Sequence, residues 1–185
     1  GSYTGPEVND RAFLRVADLK LVKNAIGGTV GGADSTHPLA GVDAHQWVIG
    51  QPLERGVYEQ PQWEIVVTNH GPSVSYGPFR ITDAPSINAG VTAGSWTAIY
   101  VSASGIETTL GTYSGTSFSV GTNSTSLLAN GSDKIVLRAN VTIDSSATPG
   151  ETVENVANVL GRTYESPDTQ GPNAQNPNTD GDERV

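Results

Sequence analysis

Three polar side chains lie on the apolar faces of segments that have the alternating pattern of β-strands. Lys23 has the parity of the two leucines before it, and Asp83 has the parity of Phe79 and Ile81. Asn155 has the parity of Ala157 and of two of the three valines in the last strong strand pattern. Because burying a lone polar group is costly, three such exceptions suggest that the side chains meet. Burial favours a neutral amine and a neutral acid, which beside a carboxamide are groups able to form an amide.

Each of these residues also has an ordinary structural explanation. Lys23, at the end of a short predicted strand, could extend its ammonium group into water. Asp83 precedes Ala-Pro and could cap a turn. Asn155 could be a core asparagine whose amide bonds to the backbone.

Few residues compete for the same roles. Lysine occurs only at positions 20, 23 and 134. Lys20 and Lys134 either have the parity opposite to the apolar face of their strand or lie near a turn, so they are not expected to point into the core. Asn158 is the neighbouring asparagine, and its parity points outward.

The pattern around these residues is typical of an all-β protein. We expect seven to nine short strands in an immunoglobulin-like antiparallel β-sandwich with Greek-key connections. Residues 1–16 are expected to be a leader or linker and 17–166 the sandwich, with an insertion at 25–61. Residues 167–185 have almost no apolar side chains and are predicted to be a polar, acidic tail or interdomain linker.

Composition excludes several classes of function. The chain has 185 residues, a net charge of −9 and a pI of about 4.6. This balance argues against nucleic acid and anionic membrane surfaces as partners. Without cysteine there is no disulfide, thiolate zinc site or cysteine nucleophile. No apolar run approaches the roughly 18 residues of a membrane span, so no membrane insertion of this segment is expected.

Four segments resemble a family of bacterial surface repeats, domain of unknown function 11. They are ADLKLVKN (17–24), the stretch from WEIVVTNHGPS to FRITDAP (63–85), LLANGSDKIVLRANV (127–141) and TPGETVENVANV (148–159). The resemblance implies an immunoglobulin-like module of a secreted, cell-wall-attached bacterial protein, a stalk or adhesin whose partners are the neighbouring domains. The insertion at 25–61 is longer than the first connection usual in that family.

The resemblance also implies an internal cross-link of the kind found in pilin and adhesin domains. Lys23 on the first strand would form an isopeptide bond with Asn155 on the last, assisted by the acid Asp83. The acid would polarise the Asn155 carbonyl, and ammonia would leave. Such a reaction is autocatalytic and occurs once, so the protein is not expected to be an enzyme, and it needs no cofactor.

Two other regions carry candidate sites. In the insertion, Trp47, His45 and His37 could recognise a glycan or a host protein. This is the alternative function, a ligand-binding adhesin module. In the tail, the oxygen ligands of Asn178, Asp180 and Asp182 are of the type that Ca²⁺ prefers, although an acidic linker is the simpler explanation of these residues.

Overall fold

The computed structural model describes residues 16–30, 45–46, 59–85, 89–148 and 153–163. Its strands are β1 (Leu19–Val30), β2 (His45–Gln46), β3 (Glu59–Asn69), β4 (Ser75–Tyr76), β5 (Phe79–Pro85), β6 (Val91–Val101), β7 (Glu107–Tyr113), β8 (Ser117–Val120), β9 (Ser126–Leu127), β10 (Lys134–Ile143) and β11 (Asn155–Leu160). A single 3₁₀ turn, Ala129–Gly131, is the helical element of this described part.

The strands form an antiparallel β-sandwich. One sheet has the order β2-β1-β3-β10-β6-β7, the other the order β11-β5-β8, and β4 and β9 form a small third sheet. Alternate residues of each strand point inward, and one core between the two larger sheets contains Ile65 and Leu137 from the first and Ile81 and Val159 from the second. The predicted all-β class is thereby confirmed. Eight of the described strands have four or more residues, which agrees with the predicted seven to nine. The Greek-key connections stay a prediction.

The first strand is longer than the sequence indicated. It begins at Leu19 and continues to Val30, six residues into the segment taken as an insertion, and β3 begins at Glu59, before that segment ends. A bulge between Ile26 and Gly28 permits this extension. Gly27 has φ +75°, and a Cβ there would lie 2.1 Å from a backbone oxygen of β3, so only glycine fits.

Within the described ranges, no helix has the length and apolar character needed to cross a membrane.

Candidate functional site

Three strands bring Lys23, Asp83 and Asn155 to one place between the sheets. Lys23 is the fifth residue of β1, Asp83 lies near the end of β5, and Asn155 begins β11. The three residues are only 5%, 4% and 6% exposed. Strands β5 and β11 are hydrogen-bonded neighbours, with Asp83 opposite Ala157, so the acid and the amide come from adjacent strands. The lysine reaches them from the facing sheet.

The carboxyl group of Asp83 joins the other two side chains. Lys23 Nζ donates to Asp83 Oδ1 and forms a buried ion pair with it. Asn155 Nδ2 donates to Asp83 Oδ2 over 3.4 Å, while Asn155 Oδ1 is buried and accepts no hydrogen bond in the described part of the chain. The acid was expected to face the carbonyl oxygen of Asn155, whereas here it faces the amide nitrogen. The reason is chemical, since a carboxylate paired with an ammonium group can only accept hydrogen bonds.

Two indole rings enclose the lysine nitrogen. Lys23 Nζ lies 5.5 Å from the ring centroid of Trp63 and 5.2 Å from that of Trp96. Both tryptophans are core residues. They belong to a cross-strand row in which Ala25 pairs with Trp63, and Ala139 pairs with both tryptophans. This alternation of alanine and tryptophan across neighbouring strands leaves room for the indole rings. The alanines and tryptophans at these strand positions are the signal in the sequence that could have placed the rings beside Lys23.

Burial and charge act in opposite directions on the amine. Burial lowers the pKa of Lys23 from its usual 10.5, while the hydrogen bond and the charge of Asp83 act to raise it, and burial is the stronger effect. The two rings favour the cationic form as well, through cation–π attraction. The ammonium group is therefore held in place, yet it is more easily deprotonated than a lysine in water.

These positions remove two of the ordinary explanations. Lys23 is in the middle of its strand rather than at the end, and its side chain is 1% exposed, so the ammonium group does not reach water. Asp83 does not cap a turn with its side chain, which points between the sheets. The Asp83 backbone nitrogen donates to the carbonyl of Thr116, next to β8.

The competing residues lie elsewhere. Lys134 is exposed and Lys20 is partly exposed. Asn158 is on the other face of β11, opposite Thr82, as its parity indicated, although its Oδ1 is also buried without a hydrogen bond. Among the described lysines only Lys23 is buried, and it shares the Asp83 carboxyl group with Asn155.

The remaining candidate residues belong to the insertion and the tail. Trp47, His37 and the tail residues Asn178, Asp180 and Asp182 lie outside the described residues, and for His45 only the backbone is described. Within the described ranges no three acidic or histidine side chains are grouped so as to hold a metal ion.

Comparisons of the chain with protein-family models, with curated proteins and with solved structures find no match. The resemblance to bacterial surface modules stays a prediction based on the four segments.

Proposed function

We propose that the protein is a structural module of a bacterial cell-surface protein, stiffened by an isopeptide bond that forms without an enzyme between Lys23 and Asn155. The observation that carries the proposal is the buried contact of Lys23 and Asn155 with the same carboxyl group. A buried ion pair contributes less to stability than apolar packing of the same volume, so stability alone does not explain why these charges are buried here. A reaction that removes both charges would explain it.

The first step is a proton transfer within the ion pair. Lys23 Nζ gives a proton to Asp83 Oδ1, which leaves a neutral amine and a neutral acid in a site that disfavours charge. The acid can now donate a hydrogen bond. The unpartnered Oδ1 of Asn155 is the acceptor that suits it, and rotation of the terminal amide about χ2 exchanges Oδ1 with Nδ2. The acid then polarises the carbonyl that is to be attacked.

The second step forms the new bond. The lone pair of Lys23 Nζ attacks the carbonyl carbon of Asn155, and negative charge develops on an oxygen that the Asp83 acid stabilises. Asp83 gives its proton to the leaving nitrogen and takes one from Nζ. The C–N bond to Nδ2 then breaks and ammonia leaves. Atoms and charge balance, because an ion pair and a carboxamide become a secondary amide, a neutral acid and ammonia.

The surroundings suit this chemistry. The rings of Trp63 and Trp96 exclude water from Nζ and restrict its position, which reduces the entropy lost on approach. No turnover follows, since nucleophile and electrophile are consumed. The product would join the first and last described strands, and it would resist extension of the chain between residues 23 and 155.

The test is intact mass under denaturing conditions. We expect the wild-type protein to be lighter than its sequence by one ammonia, and Lys23→Ala, Asp83→Ala and Asn155→Ala each to have the full mass of their sequences. Asn158→Ala is the matched control and keeps the deficit. A deficit of one water would indicate a Lys23–Asp83 amide instead, and a wild-type mass equal to the sequence would refute the proposal.

A further inference from the structure

The chain enters and leaves the sandwich at the same end. Ser73 donates its backbone N–H to the carbonyl of Val16 over 3.1 Å. At the other terminus of the described chain, the Thr163 hydroxyl donates to the Val74 carbonyl and accepts from the Tyr76 N–H, over 3.2 and 3.0 Å. One short segment, 73–76, thus fastens both the entering and the leaving chain. We call this end, formed by residues 16–19, 69–76 and 161–163, the base.

The first and last described strands run in opposite directions, since β1 leads away from the base and β11 returns to it. Gly161, just past β11, packs against Leu19 at the start of β1, so that a Cβ on the glycine would lie 3.1 Å from Leu19 Cδ1. Further from the base, Lys23 of β1 and Asn155 of β11 meet at Asp83. The proposed bond therefore joins the entering strand to the leaving strand, a few residues above the base.

The opposite end carries the long connection of the chain. Leu19 pairs with Asn69 at the base, and the same two strands reach their other ends at Val30 and Glu59. With a rise of about 3.3 Å per residue, the 12 residues of β1 span about 36 Å. We call the end at Val30 and Glu59 the tip. The chain between these two residues starts and finishes there, as far from the base as the sandwich extends.

We propose that the module is a lobe, held to the rest of its protein at the base alone, and not a link through which tension passes from one end to the other. The bond, and with it this part of the argument, rests on the proposed function. Force on the two chain ends would pass from β1 through the Lys23–Asn155 amide into β11. Residues 24–154, with the tip, would lie outside the path of the force. The tip would thus stay folded for display while the base bears load.

Pulling on the chain from both sides of the module in a single-molecule force experiment tests this. In the bonded protein only the segments 16–22 and 156–163 can extend, which lengthens the molecule by about 50 Å. In Asn155→Ala, which cannot form the bond, residues 16–163 extend by about 500 Å. That unfolding should need little force, because strands pulled from one end lose their hydrogen bonds one after another. Lys23→Ala serves as a second unbonded variant, and Lys20→Ala, on the same strand, should behave as wild type.

The outcomes separate the two proposals when the mass of each sample is known. Because residues 24–154 cannot extend once Lys23 is joined to Asn155, a bonded protein that lengthens by hundreds of ångströms would show that its bond joins other residues, which would overturn both proposals. A wild-type protein that lacks the bond and unfolds at low force would refute the proposed function. It would still support the placement of both chain ends at the base. Unbonded variants that unfold only at high force would overturn the lobe, whether or not the bond exists. Such a force would mean that the strands are sheared along their length, as they are when the chain ends lie at opposite ends of the sandwich.

Discussion

Two buried asparagines of the sandwich, one at the base and one at the candidate site, differ in how their amides are used. Asn69 is fully buried, and its Oδ1 accepts hydrogen bonds from the backbone of Asp18 and Gly71 while its Nδ2 donates to Ser73 and Leu127. Asn155 is almost as buried, yet its Nδ2 has one long hydrogen bond and its Oδ1 has none among the described residues. The first amide ties the base together, while the second is the one that the proposed reaction would consume.

Two buried aspartates repeat the contrast. Asp133 accepts from the Leu128 N–H and the Tyr100 hydroxyl, two neutral donors that hold a carboxylate without offering a nucleophile. Asp83 contacts an amine and a carboxamide instead. Burial of a polar residue is therefore not evidence of chemistry by itself. What distinguishes the candidate site is the combination of an incompletely hydrogen-bonded amide with a buried amine on the same carboxyl group, since Asn158 also has a buried amide oxygen without a hydrogen bond in the described chain.

The largest expected effect comes from Asn155→Ala. Without the bond, the unfolded chain regains the freedom of a loop of over a hundred residues, so the free energy of unfolding should fall by about 5 kcal/mol. Chemical denaturation of the variant and of the wild type measures the difference. A loss below about 1 kcal/mol would mean that no cross-link restrains the wild-type chain.

Asn69→Ala should cost less and act differently. It removes four hydrogen bonds and leaves backbone groups unpaired, which we expect to lower the free energy of unfolding by about 3 kcal/mol. Its mass should still show the ammonia deficit. If this variant lost the bond while remaining folded, the separation between base and site would be wrong.

The aspartates give a matched pair of changes, of which the one at Asp133 has the smaller expected effect and the one at Asp83 should cost as much as any loss of the cross-link. Asp133→Asn keeps the side-chain shape and should lower stability by about 2 kcal/mol, through weaker bonds to Leu128 and Tyr100, with the cross-link intact. Asp83→Asn should abolish the cross-link, because an amide cannot take the proton of Lys23. Intact mass and denaturation curves read both effects, and cross-link formation in Asp83→Asn would contradict the role of the acid.

The smallest effect concerns alkaline pH. The hydrogen bond to Asp133 raises the pKa of Tyr100 from 10.0 to about 12. Since the folded pKa is above the unfolded one, the stabilisation is complete below about pH 10 and is lost as the pH rises through about 12. In Tyr100→Phe no hydroxyl can ionise, so the free energy of unfolding should fall less steeply between about pH 10 and 12 than in the wild type. Denaturation midpoints of the two proteins measured over that range check it, and parallel curves would contradict it.

Strand parity was the part of the site that could be read from the sequence. Side chains alternate along a strand, so Lys23, Asp83 and Asn155 could be assigned to inner faces. Parity alone also selects Asn69 and Asp133, which continue the inner faces of β3 and β10. It cannot separate these from the reactive residues, because satisfaction of hydrogen bonds depends on contacts between distant parts of the chain.

Other features depended on tertiary structure. The insertion was expected to begin at residue 25, but the bulge at Gly27 lets β1 continue to Val30. The orientation of the Asn155 amide depends on the charge of its partner, which no local pattern encodes. That the chain enters and leaves at one end follows from the strand order across two sheets, and residue alternation within single strands does not contain it.

The most direct test of the central claim is to locate the bond by tandem mass spectrometry of a proteolytic digest. The account predicts a branched peptide in which the Lys23 side chain is joined to the Asn155 side chain, with the peptide around Asn158 unmodified. Unlinked peptides carrying a free Lys23 and an intact Asn155, or a branch that ends at Asp83, would contradict it.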